Sequence, residues 1–172
     1  MTTPLAALRV LLVDDNQHMR SIVATVLAGV GVEQVRECWD GAEALDALRQ
    51  WPADVAIVDF HMQPVDGVEF TRLVRQAADS PNPYLPIIML TGYAERARVM
   101  EARDSGVTEF IVKPVTARAV LDRLNNVILR PRPFIKTGEY FGPDRRRKQD
   151  AAYTGPWRRQ DDDPKAGTAK AS

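Results

Sequence analysis

The chain has 172 residues, of which 45% are hydrophobic, enough for one domain of ordinary size with a real core and a modest surplus. Its 23 basic and 23 acidic side chains give a formal net charge of +0, which argues against bulk affinity for nucleic acid or anionic lipid. No run approaches the ~18 apolar residues of a membrane span, so no membrane insertion is expected. The charge is unevenly placed: residues 1–129 hold 12 basic and 17 acidic groups, a net of −5, whereas residues 130–172 hold 11 and 6, a net of +5.

In chain order, the apolar stretch 5–13 lacks a basic leader and runs into Asp14-Asp15, so it does not read as a signal peptide. Its part Arg9-Val-Leu-Leu-Val13 is a buried-strand candidate. Asn16 offers an N-cap, and Met19, Ile22, Val23, Val26, Leu27 and Val30 follow at helical spacing until Gly29 and Gly31. Residues 34–38 form a short, more polar strand ending in Cys38, the single cysteine, so an intrachain disulfide is excluded and a reducing, cytoplasmic setting is expected. Ala42, Leu45 and Leu48 mark a second helix that closes at Trp51-Pro52.

The β-branched run 55–58 then stops at Asp59. A buried carboxylate is expensive unless paired, so Asp59 belongs at a strand end, facing a cleft. Beyond the turn Pro64-Val-Asp-Gly67, a third helix is striped by Phe70, Leu73, Val74 and Ala77. Strand four, 86–90, ends in Thr91-Gly92; a weakly patterned helix spans about 95–104 and is closed by Ser105-Gly106. Strand five, 109–112, ends in Lys113-Pro114, and Ala117, Val120, Leu121, Leu124 and Ile128 stripe a fifth helix.

Five strands alternating with five helices predict an α/β protein with a parallel sheet covered on both faces. Strand one is too apolar for an edge and strand two the least apolar, which selects the flavodoxin-like order 2-1-3-4-5. That order brings Asp14, Asp15, Asp59, Thr91 and Lys113 to one rim. Three carboxylates in a crevice call for a divalent cation. Oxygen ligands without a His or Cys cluster point to Mg²⁺, and the side chains of His18 and His61 lack a partner at metal-ligand spacing. A cation, a hydroxyl and Mg²⁺ around one carboxylate suit phosphoryl transfer, with that carboxylate as nucleophile. Neither a Walker A run nor a glycine-rich dinucleotide turn is present.

The set Asp14-Asp15, Asp59, Met62, Asp66-Gly67, Thr91 and Lys113-Pro114 resembles the receiver domain of bacterial two-component response regulators, of the chemotaxis-regulator type, over residues 8–129. The resemblance implies that Asp59 accepts phosphate from a sensor histidine kinase or a histidine phosphotransfer protein. It implies that Asp15, Asp59 and the His61 backbone carbonyl bind Mg²⁺ directly and Asp14 through water. Thr91 and Lys113 would hold phosphoryl oxygens, Phe110 would be the switch aromatic that moves with Thr91, and His61 and Tyr93 would flank the path of hydrolytic water. Lys113-Pro114 matches the family's cis peptide. Gln63 stands where the family usually has proline, with Pro64 one position later.

Residues 130–172 are rich in Pro, Gly and Arg with almost no apolar periodicity, and read as a largely disordered, irregular tail. Docking on the acidic body is expected of its first aromatic cluster, 134–141. With no output enzyme domain after the receiver, the expected output is a downstream protein target, with dimerisation left open. The rival reading is a nucleic-acid-binding effector in which Arg145-Arg146-Arg147-Lys148, Arg158 and Arg159, with Tyr153 and Trp157, track a phosphate backbone. Asp144, Asp150 and Asp161, Asp162 and Asp163 dilute that charge and weigh against it.

Overall fold

A computed structural model describes residues 5–92 and 97–145. Strands β1 (Arg9–Val13), β2 (Gln34–Cys38), β3 (Val55–Asp59), β4 (Ile87–Thr91) and β5 (Glu109–Val112) alternate with helices α1 (Gln17–Gly29), α2 (Gly41–Gln50), α3 (Gly67–Gln76), α4 (Val99–Ser105) and α5 (Ala117–Leu129). The sheet is parallel in the order β2-β1-β3-β4-β5, as the apolar grading of the strands predicted.

The pleat sorts each central strand between two cores. Val10 and Leu12 of β1 pack with Val23 and Leu27 of α1 and Val120 and Leu124 of α5. Leu11 and Val13 point the other way, toward Ala44 and Leu48 of α2 and Phe70 and Val74 of α3. A smaller cluster of Phe60, Val68, Met89, Ala102 and Val107, with Phe110 beside it, fills the space under α4.

Local chemistry sets the helix starts. Asn16, Asp40, Asp66 and Thr116 each accept a bond from the backbone N–H three residues on, which satisfies a donor the helix leaves open. Before α4 stands Arg98, which caps nothing with its side chain. The α-helix runs from Val99 with a 3₁₀ turn at 97–98 before it, and residues 93–96, where the expected start near 95 falls, lie outside the described part. Strand β4 starts one residue later than its apolar run because Pro86 has no N–H to give to the ladder. Cys38 is buried at the end of β2, and burial pushes its thiol up to about 12.

The segment after α5 departs from the irregular tail expected of it. Strands β6 (Phe134–Thr137) and β7 (Tyr140–Pro143) pair antiparallel through a two-residue turn in which Gly138 takes φ 55°. Phe134 and Phe141 form an aromatic cluster with Tyr84, at centroid separations of 5.1–5.5 Å, and β7 packs on α3 and α4. Residues 146–172, which include Tyr153, Trp157 and most of the arginine runs, lie outside the described residues.

Candidate functional site

The expected rim residues come together because each closes or follows a strand at its C-terminal end. Asp59 is the last residue of β3 and Thr91 of β4; Asp14 and Asp15 follow β1, and Lys113 follows β5. β1 and β3 are neighbours although β2 lies between them in sequence, so the crevice opens at the topological switch point. Asp14 and Asp59 are 1% and 5% exposed, whereas Asp15 stands open to solvent. One carboxylate oxygen from each lies within 4.8 Å of the others.

Two forces compete on these carboxylates. Burial raises the Asp14 carboxyl to about 6; the backbone N–H of Asn16, donating to Asp14 Oδ1 at 2.9 Å, opposes this, and the charge of Asp59 adds to it. The other oxygen, Oδ2, is buried without a hydrogen-bond partner, while Arg20 holds the Asp14 backbone carbonyl at 2.7 Å. Asp59 is also raised, chiefly by burial, against the bond from Lys113, whose Nζ lies 2.6 Å from Oδ1. A buried oxygen with nothing to bond, among three oxygen-bearing acids, is what a hard divalent cation would satisfy.

The remaining residues sit around this centre. Thr91 is buried, and its carbonyl accepts from the Lys113 N–H at 2.8 Å, which ties the hydroxyl-bearing and amine-bearing strand ends together. Phe110 is half-buried beside Ala102 of α4, and Arg123 of α5 donates to its carbonyl at 2.8 Å. His61 is exposed, edge-on to Phe60 at 5.4 Å, and a depression lined by Asp15, His61, Met62, Gln63, Pro64 and Asp66 opens beside the acids. Lys113-Pro114 is cis, and so is Gln63-Pro64, which the sequence reading did not anticipate. Tyr93 lies outside the described residues.

The steric role of Gly67 and the placement of Arg98 escaped the sequence reading of the site. A Cβ at Gly67 would lie 2.4 Å from the Asp59 carbonyl oxygen, so α3 can begin against the acidic strand end only with glycine there. Arg98 places its guanidinium 4.9 Å from the Phe60 ring centre and pairs with Glu101 at 3.0 Å, joining the residue after Asp59 to the start of α4. No spacing rule signals that contact, because it spans two segments remote in sequence.

A doubly wound parallel sheet with an acidic crevice at its switch point and a lysine on the central carboxylate is the architecture of a receiver domain. The description "Response regulator receiver domain" matches residues 10–125, and the chain belongs to that family. It is 33% identical over 123 residues to Chemotaxis protein CheY-3 of Vibrio cholerae serotype O1, covering 72% of this chain and 93% of that one. Chemotaxis protein CheY of Pseudomonas aeruginosa is 32% identical over 123 residues, covering 72% and 98%. Among solved structures, the chemotaxis protein CheY4 of Vibrio cholerae matches with a TM-score of 0.63 at 33% identity, covering 70% of this chain and 98% of that one. Among the described residues, no helix is long and apolar enough to cross a membrane.

Proposed function

We propose that this protein is a cytoplasmic response regulator that acts through its receiver domain. It accepts a phosphoryl group on Asp59 from a sensor histidine kinase or histidine phosphotransfer protein, and signals through phosphorylation-dependent binding of a downstream protein or by relay. The observation that carries the reading is Lys113 Nζ at 2.6 Å from Asp59 Oδ1, with Asp14 and Asp15 on the same crevice.

In the transfer, an Asp59 oxygen forms the bond to phosphorus as the donor's N–P bond breaks. The electron pair leaves with the imidazole nitrogen as its lone pair, and the ring takes a proton from solvent where its other nitrogen carries none. Asp59 must be ionised to attack, and Lys113 favours that form against the burial that disfavours it. Lys113 then has an anion to hold in the phosphoryl group, and the Thr91 hydroxyl, one strand away, supplies a second donor. Asp15, Asp59 and the His61 carbonyl would hold Mg²⁺ directly and Asp14 through water, a donor set whose oxygens fit a hard cation. When bound, Mg²⁺ neutralises the clustered carboxylates and the incoming phosphoryl oxygens.

In this reading Thr91 and Phe110 pass the change to the face built from α4, β5 and α5, which the buried position of Thr91 and the packing of Phe110 on the cluster under α4 support. In α4 the buried residues are Ala102 and Ser105, a small anchor for a helix that has to move. The test is labelling of the full chain by a small acyl-phosphate donor, read as the mass gain of one phosphoryl group. The parent labels once and only with Mg²⁺, and Asp59→Asn does not label; stoichiometric labelling of Asp59→Asn overturns the assignment.

A further inference from the structure

The α4 helix is held at its C-terminal end by the hairpin. Gly106 closes the helix at φ 108°, a left-handed value that glycine adopts without strain. The backbone of β7 lies directly on it: a Cβ at Gly106 would be 3.1 Å from the Phe141 carbonyl oxygen, and one at Gly142 would be 3.0 Å from Gly106 Cα. Arg145, just past β7, pairs with Asp104 of α4 and lies over the Tyr140 ring at 4.8 Å. Arg132, just before β6, donates to the carbonyls of Thr108 and, at 3.1 Å, of Asp144. Gln76 of α3 donates to the Glu139 carbonyl at 3.1 Å.

Beneath the hairpin lies Arg75, 3% exposed. Its Nε donates to the Gly106 carbonyl at 3.0 Å and its Nη1 to the Pro83 carbonyl at 2.9 Å, while the Phe134 ring covers it at 5.0 Å. The cation thus sits where α3 and α4 both end, at the negative poles of the two helices, under an aromatic lid that the hairpin supplies. All these contacts lie at the N-terminal edge of the sheet, beside the residues that precede β4 and β5, away from the acidic rim.

We propose that the β6–β7 hairpin is a strap that holds α4 in the position it takes in the unphosphorylated protein and so opposes the switch. The inference rests on the reading of Asp59 as phosphoacceptor and of α4 as the element that moves. The sign follows from the contacts. An α4 displacement would part the Arg145–Asp104 pair and the close backbone approach of Phe141 and Gly142 to Gly106, so each of them favours the α4 position the structure shows. By linkage, whatever loosens the strap favours occupation of Asp59, and occupation of Asp59 loosens the strap.

The test is a titration of the full-length protein with beryllofluoride, which mimics the phosphoryl group on a carboxylate, at saturating Mg²⁺. Gly142→Ala places a methyl 2.8 Å from the Tyr140 hydroxyl, which can swing aside, and 3.0 Å from Gly106 Cα, which cannot, and so lifts β7 from α4. The midpoint is expected to fall by at least about threefold, the scale of one or two lost hydrogen bonds. Amides of β6 and β7 in the parent should exchange faster once beryllofluoride is bound. Should Gly142→Ala fail to fold, Arg145→Ala, whose side chain is partly exposed, decides by the same criterion. An unchanged or raised midpoint, with the parent binding normally, overturns the strap. A parent that binds no beryllofluoride overturns the reading of the site itself, and the strap with it.

Discussion

Replacing Asp14 by asparagine should stabilise the metal-free protein. The Asp14 carboxyl is raised from 3.8 to about 6 by burial and by the neighbouring Asp59 charge, so the folded state binds its proton more tightly than the unfolded chain does. Stability from this group is therefore full below about pH 4 and is lost as pH rises through about 6. At pH 7.5 the ionised carboxylate is a net penalty. Two pKa units correspond to about 3 kcal/mol, an upper figure for one group. The amide of Asp14→Asn would keep an oxygen for the Asn16 N–H and offer its NH₂ to Asp15 or Asp59, so the charge is removed without leaving the bond unmade. For a domain of this size that predicts a melting temperature higher by about 5–10 °C in chelator at pH 7.5. The gap between variant and parent should shrink as pH is lowered to 4, and excess Mg²⁺ should stabilise the parent far more than the variant. Thermal melts at three pH values with and without Mg²⁺ decide the matter. A variant no more stable than the parent in chelator at pH 7.5, or a gap that does not change with pH, refutes the reasoning.

Lys113→Met removes the ammonium 2.6 Å from Asp59 and should slow acyl-phosphate labelling by about ten- to a hundredfold, as charge-assisted bonds of about 1.5–3 kcal/mol imply; initial rates by intact mass would show it. Gly67→Ala drives a methyl into the Asp59 carbonyl and should lower urea stability by roughly 1–3 kcal/mol while impairing labelling. Thr91→Ala should still label on Asp59 but lose the amide shifts that phosphorylation otherwise produces around Phe110 and α4. A chain ending at Leu129 uncovers Arg75 and strips the aromatic partners of Tyr84, so its unfolding free energy from urea titration should fall by an amount on the order of 2 kcal/mol, with Asp59 still the labelled residue.

The strand ends were legible because burial on both faces writes itself as an unbroken apolar run, and a polar residue at its end has one place to go. Asp59 after 55–58 and Thr91 after 86–90 are of that kind, and the order of the sheet followed from the polarity of β2 against β1. The hairpin was not legible. Phe134, Tyr140 and Phe141 make no period-2 pattern with their neighbours, and their burial comes from Tyr84 and Arg75, some fifty residues back. Nor does a helical wheel mark Arg75 as an inward residue, since its burial depends on carbonyls that Pro83 and Gly106 deliver from elsewhere. Asp66, read as part of a turn, proved to be the cap of α3.

The burial of Cys38 has a consequence for how the chain meets oxidants. A sulfur attacks peroxide, disulfide or alkylating reagent as the thiolate, and a thiol held near 12 presents almost none at neutral pH. The sole cysteine of this protein is therefore a small core side chain rather than a reactive group. The same silence makes the native chain a ready background for thiol-specific probes: a cysteine introduced at an exposed position, such as Glu139 at the hairpin turn, would take up label there and leave Cys38 untouched.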